Sequence, residues 1–251
     1  MQKTILATNK LSKTFSAGGV QQHVLKNLDM EIYKGDFTVI MGSSGAGKST
    51  LLYALAGMDK PTLGQVIFAG KDISSYSNDK LAIFRRNHCG FVFQQMYLLD
   101  NMSILDNIMT AGLLVNKNRK IVSAKAQVLL RQFNITEATW CKFPSQVSGG
   151  EAQRAAIARA LISTPQIVFA DEPTGALNSA NGAAVLDTLT EVNNNGQSIV
   201  MVTHDIKSAL RGSRVIYLRD GGIQGECNLG VYDDNPERRT TLKNFLADMG
   251  W

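Results

Sequence analysis

Gly42, Gly45, Gly47, Lys48 and Ser49 satisfy the spacing G-x-x-x-x-G-K-[ST], and the whole stretch GSSGAGKST runs from Gly42 through Ser43, Ser44 and Ala46 to Thr50. Glycines let a backbone wrap phosphate oxygens, a lysine at this place reaches the β and γ oxygens, and the serine hydroxyl ligates Mg²⁺. The mechanism demands a strand before the loop and a helix after it. A second stretch, VSGGEAQR from Val147 to Arg154, sets Ser148 three residues before Glu151 with Gly149 and Gly150 between them. That spacing is a capping box, and it leaves backbone N–H groups pointing outward at the positive end of a helix, where anions bind. One chain therefore carries two candidate phosphate cradles far apart in sequence.

Further candidates stand at the ends of apolar runs. IVFADE closes on Asp171 and Glu172, two carboxylates at the C-terminal edge of a strand, where the ligands of open α/β sheets gather. Asp171 suits a magnesium ion, held directly or through water. Glu172, expected on the other face of a strand continuation, suits a base that polarises water for attack on a γ-phosphate. Alone, such a pair reads as a solvated turn; beside a phosphate loop it reads as catalytic. His204 follows SIVMVT with Asp205 next to it, where a neutral imidazole can sense a γ-phosphate. Gln94 ends CGFVF, where its amide can serve both Mg²⁺ and the attacking water; only its position singles it out.

The elements that must hold these groups are legible. ILATNKL, LDMEI and FTVIMG are short, partly alternating and rich in β-branched residues, so they are read as strands, the last running straight into the glycine loop. STLLYALAGM behind that loop has helical composition, and GQVIFAGKDI returns to strand after a turn at Pro61–Gly64. From about Asp72 to Ser163 the pattern is mostly helical apart from CGFVFQ, with three- and four-residue apolar spacing in SILDNIMTAGLL and AKAQVLLRQF. QIVFADE and SIVMVTH suit a parallel sheet buried on two faces. RVIYLRDGGIQGE reads as a hairpin turning at Asp220 and Gly221, and RRTTLKNFLADMGW as a terminal helix.

Composition bounds the rest. With 251 residues, 44% of them apolar, the chain can bury a large core. No apolar run approaches the ~18–20 residues of a membrane helix, and MQKTILATNK lacks the apolar stretch of a signal peptide, so a cytosolic location is expected. Cys89, Cys141 and Cys227 are scattered and odd in number, which suggests neither a disulfide framework nor a zinc cluster. A formal charge of +5 without a basic block gives nucleic-acid binding little support, and fits nucleotide phosphates or an anionic membrane surface.

Taken in order, these pieces resemble the ATP-binding subunit of an ABC transporter over nearly the whole chain. The resemblance makes Gly42–Ser49 the Walker A loop, Gln94 the Q-loop glutamine, Val147–Glu151 the signature, Ile167–Asp171 the Walker B strand, Glu172 the catalytic carboxylate and His204 the switch histidine. It also puts the adenine-stacking aromatic on Phe15 in LSKTF. The fold it implies is α/β: a P-loop NTPase core with an antiparallel β subdomain and a helical subdomain. The core and β subdomain are expected over 1–94 and 164–226, the helical signature subdomain over 95–163, and a tail helix over 227–251. It implies ATP and Mg²⁺ as ligands, with Ser49, Gln94 and Asp171 at the metal. A second copy is implied to meet the first head to tail, so that each ATP lies between the Lys48 loop of one and the Ser148 loop of the other. An integral membrane permease is the other implied partner, which places the subunit on the inner face of the cell membrane.

Two positions depart from the family pattern. Val147 stands where leucine is usual, a small apolar change that preserves the contacts of Ser148, Gly149 and Gly150. GALN replaces the commoner SALD, so Asn178 keeps the hydrogen-bonding shape of an aspartate and loses its charge at the contact between subunits. FRRNHCGFVFQQMYLLDNMSILDNI and FADEPTGALNS resemble the branch serving macrolide export, lipoprotein release, cell division and bacitracin-type peptide resistance, and MGSSGAGKSTLLYALAGMDKPTLGQV is closest to the last. The alternative within the resemblance is a soluble ABC ATPase acting on DNA or ribosomes. Such proteins carry coiled-coil insertions or a second cassette, and neither is visible here.

Overall fold

The computed structural model describes residues 3–251. Along the chain run β1 (Thr4–Ala17), β2 (Val20–Tyr33), β3 (Phe37–Met41), α1 (Lys48–Leu55), β4 (Leu63–Phe68), β5 (Lys71–Asp72), α2 (Asn78–His88), β6 (Cys89–Phe93), α3 (Ile104–Leu113) and α4 (Arg119–Gln132). There follow α5 (Glu137–Trp140), a 3-10 turn at Pro144–Gln146, α6 (Gly149–Leu161), β7 (Ile167–Asp171), α7 (Ser179–Asn194), β8 (Ser198–Val202), α8 (Ile206–Ala209), β9 (Arg214–Arg219), β10 (Gly222–Asn228) and α9 (Pro236–Asp248). They cluster into two compact units, residues 3–82 with Asn193–Trp251, and Ile83–Val192. No helix among the described residues is long and apolar enough to cross a membrane.

In the first unit, β2, β1, β4 and β5 form an antiparallel sheet in that order. Late in β2 the side chains alternate, Leu28, Met30 and Ile32 buried and the residues between them exposed, so this sheet keeps one wet face. β3 lies parallel between β8 and β9, and β10 pairs antiparallel with β9. Every residue of FTVIM and of SIVMV is buried, as strands covered on both faces require. The β9–β10 hairpin turns where expected: Asp220 and Gly221 both have positive φ, 51° and 78°, the geometry whose twist matches the flanking strands.

In the second unit β6 and β7 run parallel, in register from Cys89 opposite Ile167 to Phe93 opposite Asp171. Around them lie helices whose starts the sequence marks plainly, α3 capped by Ser103 and α4 by Asn118. The buried face of α6 is mostly alanine, Ala152, Ala155, Ala156, Ala158 and Ala160, and this permits close approach. A Cβ on Gly90 of β6 would come within 2.6 Å of the Ala160 carbonyl oxygen, so β6 and α6 touch backbone to backbone.

The structure corrects the expected tail helix. Cys227 and Asn228 still belong to β10, and the helix begins only at Pro236, where Asn235 caps it and proline, whose missing N–H costs nothing in a first turn, starts it. All three cysteines are free, Cys89 and Cys227 buried and Cys141 exposed.

One buried polar network stitches the first unit together. Arg214 on β9, 5% exposed, donates to Asp36 Oδ2 at 3.0 Å, to the Glu31 carbonyl at 2.6 Å and to Glu226 Oε1 at 3.1 Å, and Asp36 also accepts from Ser213 and Thr38. Removing one member strands a buried charge, which costs about 3–5 kcal/mol. Arg214→Met should therefore lower the chemical denaturation midpoint steeply, and Asp36→Ala by a similar amount. Midpoints equal to the parent's would deny the network this role.

Candidate active site

The phosphate loop occupies the turn from β3 to α1, and sterics explain its glycines. A Cβ on Gly42 would lie 2.2 Å from the Leu218 carbonyl oxygen, so the backbone can leave β3 there only as glycine. Gly47 is constrained twice, by φ 97° and by Leu25 and the Val24 carbonyl at 3.0 Å from a would-be Cβ. Lys48 is buried, 7% exposed, and its ammonium donates to the carbonyls of Gly42 and Ser43 at 2.9 Å each, a cation held across the loop. Ser43, Ser44, Gly45 and Ser49 are exposed, Ala46 is buried, and Thr50 is half-buried. α1 has no side-chain cap and no acidic residue in its own first turn.

Two other candidates share this unit. His204 is exposed two residues past the end of β8, whose neighbour β3 delivers Gly42, since Ile40 pairs with Val202. Asp205 beside it caps α8 by accepting from the Ser208 N–H at 2.8 Å. Phe15, 44% exposed, pairs with Gln22 across the β1–β2 hairpin, and β2 abuts Gly47 two residues later at Val24. Lys13 is a residue the sequence reading missed. Its ammonium is fixed by Asp59 at 2.6 Å and the Lys60 carbonyl at 2.7 Å, and lies 4.9 Å from the Phe15 ring centroid. Strand alternation carried the signal, because residues two apart share a face.

The second unit holds Gln94, Asp171, Glu172 and Ser148–Gly150. Asp171 is the last residue of β7, opposite Phe93, and Gln94 leaves β6 one position further. Glu172 does not continue the strand as expected: its φ is 45°, and Pro173 behind it has no N–H to extend a ladder. The chain turns instead, with the Gly175 N–H donating to the Glu172 carbonyl at 3.0 Å. Gln94 lies against that turn, for a Cβ on Gly175 would meet its Nε2 at 2.9 Å. A non-glycine residue in the left-handed region at this place stores backbone strain, a frequent mark of functional positions.

Ser148 and Glu151 close the capping box at α6. The Ser148 hydroxyl accepts from the Glu151 N–H at 3.3 Å and donates to Glu151 Oε2 at 2.8 Å, while Glu151 Oε2 also accepts from the Ser148 N–H at 3.0 Å. Gly149 and Gly150 pack by necessity against the start of α7, since Cβ atoms there would meet Leu177 at 3.1 Å and Asn181 Oδ1 at 2.7 Å. Asn178 caps α7 through the Asn181 N–H at 2.9 Å, so loss of the usual aspartate leaves the helix start intact.

Two residues of α6 that no sequence signal marked reach back to the segment around Gln94. Gln153, fully buried, donates to the Phe93 carbonyl at 2.9 Å. Arg159 donates to the carbonyls of Met96, at 2.6 Å, and Tyr97. Between them runs a line of rings: Phe169 on β7 stacks on Phe91 at 5.9 Å, Phe91 on Phe93 at 6.0 Å, and Phe93 meets the edge of Tyr97 at 5.4 Å.

A glycine loop with no space for a Cβ at Gly42 or Gly47, and a buried lysine between a strand and a helix without a side-chain cap, defines the class: a phosphate-loop nucleotide-binding protein. The comparisons narrow it. The model of the ABC transporter family matches residues 25–175. The bacitracin export ATP-binding protein BceA of Halalkalibacterium halodurans is 37% identical over 247 residues, 98% of this chain and 96% of its own length. The macrolide export protein MacB of Wolinella succinogenes is 38% identical over 89% of this chain, which spans only 34% of that longer ATP-binding/permease protein. Among solved structures, the dimeric post-hydrolysis state of the cassette MJ0796 bound to ADP and Pi superposes with a TM-score of 0.79 at 35% identity, covering 89% of this chain and 98% of its own. The chain belongs to the ABC transporter family, as its ATP-binding cassette.

The capping carboxylate makes the second cradle pH-sensitive. Hydrogen bonds from the Ser148 N–H first, then from its hydroxyl, hold the Glu151 carboxyl below its ordinary range. A lowered folded-state pKa contributes stability above the unfolded pKa, and that contribution is lost as pH falls through the folded value. Glu151→Gln should cost about 0.3–1 kcal/mol at neutral pH, the worth of a carboxylate at a helix start. The gap to the parent should begin to narrow as pH falls past the ordinary glutamate range and close only below the lowered folded value, where the Glu151 carboxyl is protonated in folded and unfolded chain alike. Urea midpoints measured across pH decide it; a gap that persisted at low pH would assign the cost to shape alone.

Proposed function

We propose that this chain hydrolyses ATP as one of two identical cassettes that sandwich two nucleotides and drive a membrane permease, in resistance to or export of antimicrobial peptides. The observation that supports it most is the Gly42–Lys48 loop, a cationic cradle with no room for a side chain at its first glycine. The relatives named for bacitracin and macrolide export, and the dimeric cassette solved with ADP and Pi, support the cargo class and the pairing.

The residues fit magnesium ATP. Ser49, Gln94 and Asp171 offer a hydroxyl, an amide and one carboxylate oxygen, a hard donor set of the kind magnesium takes while phosphates and waters fill its remaining positions. Bound magnesium ATP supplies the phosphoanhydride to be cleaved and a divalent charge beside it. Lys48 and the loop N–H groups hold the phosphate oxygens, Phe15 stacks on adenine with Lys13 behind its ring, and Gln94 orients the attacking water. Glu172 accepts that water's proton while His204 holds the γ-phosphate end. Ser148, Gly149 and Gly150 receive the γ-phosphate of the nucleotide carried by the second copy. The segment 95–107, in which Tyr97 and Leu99 are 63% and 48% exposed, takes the permease at the cytoplasmic face of the membrane. In this reading 95–163 is the helical signature subdomain, and 1–94 with 164–226 form the nucleotide-binding core and its β subdomain.

Stacking reads a π-face and leaves the base edge unread, so ATP and GTP should be weakly discriminated. Glu172→Gln should reduce turnover about 10²–10⁴-fold, the usual worth of a general base, while nucleotide affinity stays at the parent value. Hydrolysis at the parent rate would remove Glu172 from the role.

The pairing is tested by Ser148→Arg. A dilute monomer should keep its ATP affinity, whereas ATP-dependent dimers should fail to form even in the Glu172→Gln background. Lys48→Ala should instead lose nucleotide first and the dimer only as a result. Titration calorimetry paired with sedimentation separates these defects. Equal losses of monomer affinity in both variants would put the two cradles around one nucleotide in one chain.

A further inference from the structure

Away from the phosphate loop, a cleft of about 540 Å³ opens between α8, the loop after β10 and the start of α9. Its lining carries Lys207 and Arg211 from the α8 side, and Arg238, Arg239 and Lys243 from α9, against two carboxylates, Asp233 and Asp234. Asp233 acts on Arg238 and Asp234 accepts from the Tyr232 hydroxyl at 3.3 Å, and among the described residues neither forms an ion pair with Lys207, Arg239 or Lys243. Lys207, Arg239 and Lys243 make no hydrogen bond or ion pair within the described chain and are exposed. Unpaired cations facing a shared concavity raise its potential and concentrate anions there.

The walls are preformed. Arg238, 6% exposed, donates to the carbonyls of Leu210 at 2.7 Å, Leu229 at 2.7 Å and Gly212, tying α9 to the end of α8 and to the loop between them. Tyr232 lies between two guanidinium groups, Arg211 at 4.5 Å and Arg238 at 5.4 Å from its ring centroid, which fixes Arg211 at the rim. Only the three outer cations remain to be ordered by an occupant, so the entropic cost of binding is small.

We propose that this cleft binds a phosphate-bearing anion, a second anion site distinct from the nucleotide cradle. Arg239 supplies a fork suited to two phosphate oxygens, Lys207 and Lys243 supply point charges, and Arg211 stands at the rim. The occupant rests on α8, which starts two residues after His204, and so braces the loop that carries that histidine. The same chemistry is presented by a free diphosphate and by the headgroup of an anionic lipid.

The test uses the full chain saturated with ADP, so that the Lys48 loop is already filled. Pyrophosphate titrated into it should give a saturable heat that weakens with added salt. Lys207→Ala/Arg239→Ala/Lys243→Ala should lower that affinity about tenfold or more while ADP affinity and the thermal midpoint stay unchanged. In parallel, vesicles of phosphatidylcholine with phosphatidylglycerol should retain the parent chain over the triple variant if the source is a lipid headgroup. Saturable binding in either arm that depends on the three cations supports the site and names its source. Failure of both arms with the parent chain, or binding that the triple variant keeps, overturns it.

Discussion

A parallel strand covered on both faces has no face left for chemistry in water. β3 and β8 in one unit, and β7 up to its last residue in the other, are buried from end to end. A group of such strands that is to face solvent must stand at or beyond the last ladder position. Gly42 follows Met41, Gln94 follows Phe93, Glu172 follows Asp171, and His204 stands just beyond Val202. The backbone has to change direction at once at these points, which is why Gly42 has no room for a Cβ and Glu172 takes a left-handed φ. Burial of the strands and placement of the reactive groups are one constraint seen from two sides.

The two cradles solve the problem of a helix start in opposite ways. α1 opens with a glycine, without a capping side chain or an acid in its own first turn, and a buried ammonium lies across the loop before it. α6 opens with Ser148 already answered by the Glu151 carboxylate. The start of α6 is thus already balanced by a carboxylate of its own first turn, and that of α1 is not balanced from within its helix.

Much of this was legible from residue order. The glycine spacing of the loop, the capping box, the apolar runs ending in Asp171 and His204, and the Asp220–Gly221 turn are all local, and local chemistry survives translation into structure. What escaped was tertiary or conformational. The strand was expected to run on through Glu172, because propensity says nothing of the backbone reversal that Pro173 permits. Nothing in the sequence marks Gln153 and Arg159, whose donors reach the carbonyls of Phe93, Met96 and Tyr97 far away in the chain. Asp36 and Arg214 lie too far apart in sequence for any window to pair them. At the tail, Asn235 and Pro236 mark the start of α9, two residues ahead of RRTTLKNFLADMGW and well inside the 227–251 that the resemblance implied.

The rings of Phe169, Phe91, Phe93 and Tyr97 amount to a strut. Its outer end is a half-solvated phenol and its inner end lies two residues before Asp171. Packed aromatic rings compress very little, and Arg159 pins the backbone at the outer end, so a load applied to Tyr97 has no soft joint in which to dissipate. Whatever presses on that exposed ring presses, in effect, on the strand that ends in Asp171.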